Sequence, residues 1–549
     1  MRLCRLTTEA RLKTNRRGFV SGGATALLAV THAPAILLNR ADHDLVIRGG
    51  TVFDGTGSEG VELDVAVSGA LVTRIAPKLS TRGKEEIDAR GLAVAPGFID
   101  IHSHGDSGID EDPRVESVVR QGITTMIVGA DGASRASGSS SRSFSARFNT
   151  IDQLRPGPNV ASMVGLGTVR GEVVGADDRP ATASELARMV AMVESALGDG
   201  ACGASSGLEY TPGAFSTREE LIALCRPLQR RALPYATHMR NEDDRLLEAI
   251  DESIAVARGA GSRLQISHLK TQGPRNWDKL DKAFLLIEAA RSAGTNVMFD
   301  RYPYLAYSTG LTNLFPVWSR DGGTKAFLAR LSDPATSSRV KQETLAKVEL
   351  IGGWDNVQLS GVSAVEDRDA EGKRLGAYAK SRGADPYDTA VALLTRSNGS
   401  VGMLGYAMSE QNLEKILAHP LSMVCTDGSG FAVEGPTRRG SPHPRGAGTF
   451  PRVLGRYVRE RKVLTLAQAI RKMTSLPASR VRLMDRGRLV EGLAADIVMF
   501  DPATVADTAT FDAPFQYPAG IKLVIVNGTV ALRDGQRSAT GTGKALRVS

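Results

Sequence analysis

Eight short apolar runs follow one another along the interior of this chain, and nearly all of them end in polar or metal-ligating residues. Leu92–Asp100 leads to His102 and His104, Thr124–Gly129 to Asp131, and Val160–Val164 to the stretch Gly165–Arg170. Ala201–Ser206 leads to Glu209 and Tyr210, Leu233–Thr237 to His238, and Arg263–Ser267 to His268 and Lys270. Asn296–Phe299 leads to Asp300, Tyr302 and Tyr304, and Leu421–Thr426 to Asp427. Helical stretches separate the runs, and that alternation argues for a parallel α/β arrangement. A (β/α)8 TIM-like barrel gathers its functional residues at the C-terminal rim of its strands, which accounts for the whole ordered series at once. Any one polar loop after a strand is ordinary. The series is the constraint.

The two ends of the chain read differently. Asp44–Phe53, Val65–Val67 and Leu71–Ile75 are short strands separated by glycine turns, and Ala495–Phe500 and Ile521–Val530 have the same character. The expected organisation is a small β-sandwich built from residues 44–95 and 485–540, around a barrel spanning 96–484. The gap before the eighth strand is long, about 311–420, and holds amphipathic segments such as Asp385–Thr395. An inserted subdomain acting as a lid or substrate wall is expected there. A length of 549 residues suits a large barrel with an accessory domain.

The formal charge of +8 invites a nucleic-acid reading. Six of the basic residues and one acidic residue lie in residues 1–35; without them 62 basic face 59 acidic residues, a net of +3. No basic stripe with interleaved aromatics remains, so no nucleic-acid partner is expected. Those first residues resemble a twin-arginine export signal. Thr14-Asn-Arg16-Arg17-Gly-Phe19-Val precedes a short apolar segment, Ala24–Val30, and then Ala33-Pro-Ala35. Export to the periplasm is expected if this leader functions, and a cytoplasmic location if it does not. The segment is too short for a stable membrane anchor. Cysteines are few and lack CxxC spacing, which excludes a disulfide framework or a structural zinc cluster.

The chemistry lies in the histidines. His102 and His104 sit at i and i+2 after an apolar run, so in an extended chain both imidazoles face one side. The chain has only eight histidines, and His238 and His268 also sit at strand ends. Four imidazoles delivered to one rim suit a divalent metal. By the same i, i+2 logic, Lys270 shares a face with His268 and becomes a pocket cation. Asp427 precedes Gly428, a common turn pair, but its position at the eighth strand end favours a catalytic carboxylate.

The motifs carrying these residues resemble the amidohydrolase superfamily and, within it, the N-acyl-D-amino-acid deacylases. They are Pro96–His104, Gln121–Gly129, Ser206–Gly213, His238–Glu242, Ile266–Lys270, Asp300–Tyr304, Thr426–Gly428 and Pro442–Phe450, and the likeness runs from about Asp44 to Asp534. The resemblance implies metal ligation by His102, His104, His238 and His268, with Asp427 as catalytic carboxylate. Lys270, Tyr302 and Arg445 are implied to hold a substrate α-carboxylate, and Tyr210 to neighbour the scissile carbonyl. His443 is expected to line the same pocket. Two positions depart from the family pattern: Asp131 stands where a cysteine ligand is usual, and Gly165-Leu166-Gly167 replaces Gly-His-Gly. Asp131 and Glu209 are therefore alternative carboxylate ligands, and both stay open.

The expected activity is hydrolysis of the amide of an N-acyl-D-amino acid, a small substrate with a free carboxylate. One or two zinc ions are the expected cofactor, another divalent metal being compatible with the same donors. An oligomer is compatible with the sequence. A cyclic amidase of the hydantoinase or dihydroorotase type is the alternative enzyme, as is a D-aminoacyl or isoaspartyl dipeptidase. No lysine lies between Ala201 and Pro212, where cyclic amidases carry one. A non-catalytic binding protein of the same shape is a remote alternative, because all four histidines and Asp427 are retained.

Overall fold

The computed structural model describes residues 41–538 and 541–548. The leader expected in residues 1–35 lies outside the described residues. The first strands are β1 (His43–Val52), β2 (Val61–Ser68), β3 (Leu71–Ala76), β4 (Gly83–Asp88) and β5 (Ala93–Pro96). The interior continues with β6 (Phe98–Asp100), β7 (Ile123–Val128), β8 (Asn159–Ser162), β9 (Val164–Gly165), β10 (Ala204–Gly207) and β11 (Pro234–His238). Then come β12 (Arg263–Ile266), β13 (Val297–Arg301), β14 (Ala306–Gly310), β15 (Val357–Val362), β16 (Val401–Tyr406) and β17 (Ser422–Val424). The chain closes with β18 (Ile497–Phe500), β19 (Ile521–Val526), β20 (Thr529–Arg533) and β21 (Gln536–Arg537).

Strands from both ends form one nine-stranded sheet, in the order β21-β20-β19-β18-β5-β1-β2-β3 with β4 beside β1. The seam is the antiparallel pair β5–β18, with Pro96 opposite Ile497 and Ala93 opposite Phe500. Alternate residues Leu45 and Ile47 of β1, Val65 and Val67 of β2, and Leu523 and Ile525 of β19 fill its own apolar core, as a period of two requires. The apolar run Leu92–Asp100 serves two sheets, breaking at Gly97. A side chain there would lie 2.2 Å from Thr124 Cγ2, and the Gly97 amide is used by the Asp496 carbonyl at 2.7 Å.

The run Ile521–Val530 is two strands rather than one. Asn527 and Gly528 both have positive φ, 50° and 77°, the requirement of a two-residue type I′ hairpin turn, for which Asn-Gly is the preferred pair. A Cβ on Gly528 would also meet the Gly69 carbonyl oxygen at 1.8 Å. Gly528→Ala is accordingly expected to cost about 1–3 kcal/mol of stability. An unchanged urea midpoint would contradict this.

The interior strands pair in parallel as two ladders, β6-β7-β8 and β9-β10-β11-β12-β13-β17. They meet at both edges. Met163 lies between β8 and β9; its amide bonds the Val128 carbonyl, while Val164 bonds that of Gly203. At the other edge Asp427 N donates to His102 O at 2.9 Å and His104 N to Gly428 O at 3.0 Å. Helices connect the strands. Leu246–Ala260 is typical, burying Leu246, Ala249, Ile250, Ile254 and Ala257 on the stripe its 3.6-residue period creates. Before β17 comes an antiparallel sheet, β14-β16-β15, with helices including Ser337–Leu350. The amphipathic segment read at Asp385–Thr395 is the helix Pro386–Arg396, capped by the Asp385 side chain on the Asp388 amide. Among the described residues no helix is long and apolar enough to cross a membrane.

Candidate active site

The strand ends bring His102, His104, Asp131, His238, His268 and Asp427 to one buried centre. His102 Nε2 lies 3.3 Å from Asp131 Oδ2 and 3.4 Å from Asp427 Oδ1. His104 Nε2 approaches the same two carboxylate oxygens at 3.4 and 3.3 Å. His268 Nε2 is 3.6 Å from Asp131 Oδ1 and 3.0 Å from His238 Nδ1. Ligand atoms of His102, Asp131, His268 and Asp427 all fall within 4.8 Å of one another. Two of the atoms facing this centre, His102 Nε2 and Asp131 Oδ1, are buried with no hydrogen-bond partner.

Backbone geometry aims these groups. Asp131, His268 and Asp427 have φ of 51°, 36° and 48°, a left-handed conformation that Asp and His tolerate better than most residues. Such residues cost roughly 1–3 kcal/mol each and persist where the surroundings fix them. His268 thus lies beyond the end of β12 at Ile266, in a turn. Its juxtaposition with Lys270 holds, at 2.7 Å from Nδ1 to Nζ, but a bend produces it rather than strand alternation.

Two residues of this centre, Glu242 and Asp300, lie in the sequence motifs but received no site role there. Glu242 is 1% exposed and accepts from Lys270 Nζ on both oxygens at 2.6 Å, with Gln272 Nε2 at 2.8 Å. Its Oε1 also lies 3.1 Å from His268 Nδ1. Asp300 accepts from the His268 amide at 2.8 Å and faces His102 Nδ1 at 3.4 Å. A carboxylate on the far ring nitrogen orients an imidazole and leaves Nε2 as its ligating atom. Glu242 follows His238 by four residues and Asp300 ends an apolar run; those positions were the available signals.

The remaining expected residues separate by role. Arg445 opens the helix Arg445–Arg452 and pairs with Asp427 Oδ2 at 2.7 Å, its guanidinium 4.5 Å above the Tyr302 ring. Arg445 Nε and Tyr302 Oη are buried without hydrogen-bond partners. Lys270, expected to hold a substrate carboxylate, already donates to both Glu242 oxygens and lies 2.7 Å from His268 Nδ1. Its charge is answered inside the protein. His443 lines the cavity, but its Nε2 bonds the Ala306 carbonyl at 2.9 Å and its Nδ1 accepts the Arg445 amide at 2.9 Å. It therefore holds the Arg445 loop. Glu209 lies 3.3 Å from His238 Nε2, its one ion pair among the described residues, while Tyr210 Oη lies 3.4 Å from His238 Nδ1.

These groups line a cavity of about 480 Å³. Burial pushes the Asp131 and Asp427 carboxyls up, but neighbouring cations outweigh it and hold both well below the usual range: His102 and His268 around Asp131, Arg445 and His102 around Asp427. Burial pulls the His104 imidazole down, yet bonds to Asp131 and Asp427 raise it to about 9. Burial also drives the Tyr210 phenol well above 10, so it stays a neutral donor.

Buried imidazoles and carboxylates at parallel strand ends, beside an arginine left with free donors, define an amidohydrolase. The Amidohydrolase family model matches residues 435–532. The D-aminoacylase of Alcaligenes xylosoxydans xylosoxydans is 34% identical over 525 residues, 92% of this chain and 97% of that protein. The N-acyl-D-glutamate deacylase of the same organism is 34% identical over 88% of this chain and 93% of its own length. A solved N-acyl-D-glutamate deacylase from Bordetella bronchiseptica, complexed with zinc and a phosphonate mimic of the tetrahedral intermediate, superposes with a TM-score of 0.79 at 33% identity, covering 92% of this chain and 99% of that one. The chain belongs to the D-aminoacylase family of N-acyl-D-amino-acid deacylases.

Proposed function

We propose that this protein hydrolyses the amide bond of N-acyl-D-amino acids, releasing a carboxylate and a free D-amino acid, with zinc as its cofactor. The observation that carries the reading is the convergence of His102, Asp131, His268 and Asp427, with orphaned His102 Nε2 and Asp131 Oδ1 facing the centre. The donor set of imidazoles and carboxylates fits zinc. His102, His104, His238 and His268 are its histidine ligands in this reading. Asp131 is the better shared carboxylate, since it approaches three imidazoles and Glu209 only one. The hydrogen bonds linking the two parallel ladders at Met163 and at His102–Gly428 support a closed eight-stranded barrel over 96–484. The β5–β18 seam supports an accessory domain drawn from 44–95 and 485–540.

Zinc, when bound, polarises a carbonyl and makes water a competent nucleophile near neutral pH. The chain's own groups do the rest. Arg445 and the Tyr302 hydroxyl receive the α-carboxylate, a planar guanidinium being suited to bidentate carboxylate binding. The incoming carboxylate competes with Asp427 for Arg445, so substrate binding loosens the 2.7 Å pair and returns basicity to Asp427. Asp427 then takes a proton from the attacking water and passes it to the departing nitrogen. Tyr210, kept neutral by burial, donates to the carbonyl oxygen as charge develops on it.

A panel of N-acyl-D- and N-acyl-L-amino acids with hydantoin as control tests the reading. Amine release confined to the D series is expected; hydantoin opening without amine release would overturn it. A pH effect follows as well. His104 has a folded pKa of about 9, above its ordinary 6.5, so the proton stabilises chelator-treated protein fully below pH 6.5. That contribution is lost as pH rises through about 9. The depressed carboxyls act in the opposite sense, but only near and below their unfolded pKa of 3.8. Chelated protein should therefore fall in melting temperature relative to the zinc-loaded protein from pH 6.5 to 9, zinc replacing the proton. Lys472, pulled down to about 7 by burial, acts in the opposite sense but alike in both forms. A difference between the two forms that does not change with pH would contradict it.

A further inference from the structure

A second cavity, of about 310 Å³, adjoins the catalytic one and shares Glu209, Asn313, Leu314 and Lys347 with it. Its wall contains Arg320, the last residue of the short turn Val317–Arg320 in the inserted segment. Arg320 is 7% exposed; its Nη1 donates to Asn313 Oδ1 at 2.9 Å, and its buried Nε has no hydrogen-bond partner. No carboxylate lies within ion-pair distance of it among the described residues. The other cations of this wall are all neutralised: Lys347 by Asp243, Arg275 by Asp244 and Arg240 by Glu252. A buried guanidinium without a counter-charge is costly, and among the cations of this cavity only Arg320 is left in that state.

Arg320 is also wired to the reaction centre. Asn313, which accepts from it, donates through Nδ2 to Thr309 Oγ1 at 2.8 Å; Thr309 reaches Tyr210 Oη at 3.5 Å, and Tyr210 reaches His238. Arg445 lines the catalytic cavity and Arg320 the adjoining one, so the two guanidiniums serve different groups. Leu314, shared by both cavities and 2% exposed, offers an apolar wall for intervening methylenes.

The geometry points to an anion subsite at Arg320 and Asn313 that takes a second carboxylate of the substrate, making this enzyme one for doubly anionic N-acyl-D-amino acids. The inference rests on the deacylase reading. The second carboxylate belongs either to the amino-acid side chain or to a dicarboxylic acyl group, and the two are separable by substrate. Glu209 shares the cavity, but its carboxylate faces His238 at 3.3 Å.

The test compares kcat/KM for N-acetyl-D-glutamate, N-acetyl-D-aspartate, N-succinyl-D-methionine and N-acetyl-D-methionine in the zinc-loaded wild type, Arg320→Met and Arg320→Lys. A doubly anionic substrate should exceed N-acetyl-D-methionine in the wild type. Arg320→Met should reduce that preference ratio by roughly 10- to 100-fold, the range for a lost charged hydrogen bond, with partial recovery in Arg320→Lys. Preference for the glutamate or aspartate derivative assigns the carboxylate to the side chain, and preference for the succinyl derivative assigns it to the acyl group. A wild type that favours N-acetyl-D-methionine, or an unchanged ratio in Arg320→Met, would overturn the subsite. Thermal stabilisation by glutarate gives a readout independent of turnover, expected in the wild type and lost in Arg320→Met. If no N-acyl-D-amino acid is cleaved, the deacylase reading fails, while the glutarate shift still decides whether Arg320 binds a dicarboxylate.

Discussion

Asp427→Asn should lower kcat by about 10²–10⁴-fold, the range for removing a positioned general acid–base. Asn keeps the size and an oxygen able to accept from Arg445, but it cannot take a proton from water. Burial pushes the Asp427 carboxyl up, while Arg445 beside it outweighs that and holds it below the usual range, so it stands ionised and able to accept a proton at neutral pH. Zinc stoichiometry on the same preparation separates loss of the base from loss of the ion. A variant that retains zinc and more than a tenth of wild-type kcat would remove Asp427 from the proton-transfer step.

The second large effect is on stability. Glu242 and Lys270 are 1% and 2% exposed and in contact at 2.6 Å on both carboxylate oxygens. Breaking a buried pair from one side strands the other charge, at a cost of about 3–5 kcal/mol. Glu242→Gln should lower the unfolding free energy from denaturant melts by that amount. Combining it with Lys270→Met should recover much of the loss, because the stranded charge is removed as well. The single variant should also bind zinc roughly 10- to 100-fold more weakly, since His268 Nδ1 loses its orienting carboxylate. A loss below about 1 kcal/mol, the scale of an exposed ion pair, would mean that Glu242 does not hold the lysine's charge.

Much of the centre was readable from the chain because few residues could form it. With eight histidines, four of them at the ends of apolar runs, and carboxylates at two further run ends, the parallel α/β logic assigned them one rim. What escaped the reading depends on long-range partners. Glu242 sits in a loop with no periodicity, and its role exists only because Lys270 and His268, near the end of the next strand, close on it. Lys270 was legible as a buried cation but not as one already satisfied. Apolar runs also hid their own breaks. Leu92–Asp100 divides at Gly97, because Thr124 leaves no room for a side chain. Ile521–Val530 folds back at Asn527-Gly528, where the dipeptide was the local sign. Val160–Val164 passes from one ladder to the other at Met163, and nothing in its composition announces that.

The seam between β5 and β18 has a consequence for the order of assembly. Pro96 faces Ile497 across it, so β5 cannot meet this neighbour until nearly the whole chain has been synthesised. Until then the N-terminal strands present an unpaired edge, the kind of surface that invites pairing with another chain. Closing so distant a contact is entropically late. The last strands therefore act as a completion signal: a chain that stops short of β18 leaves that edge open, while a finished one seals it.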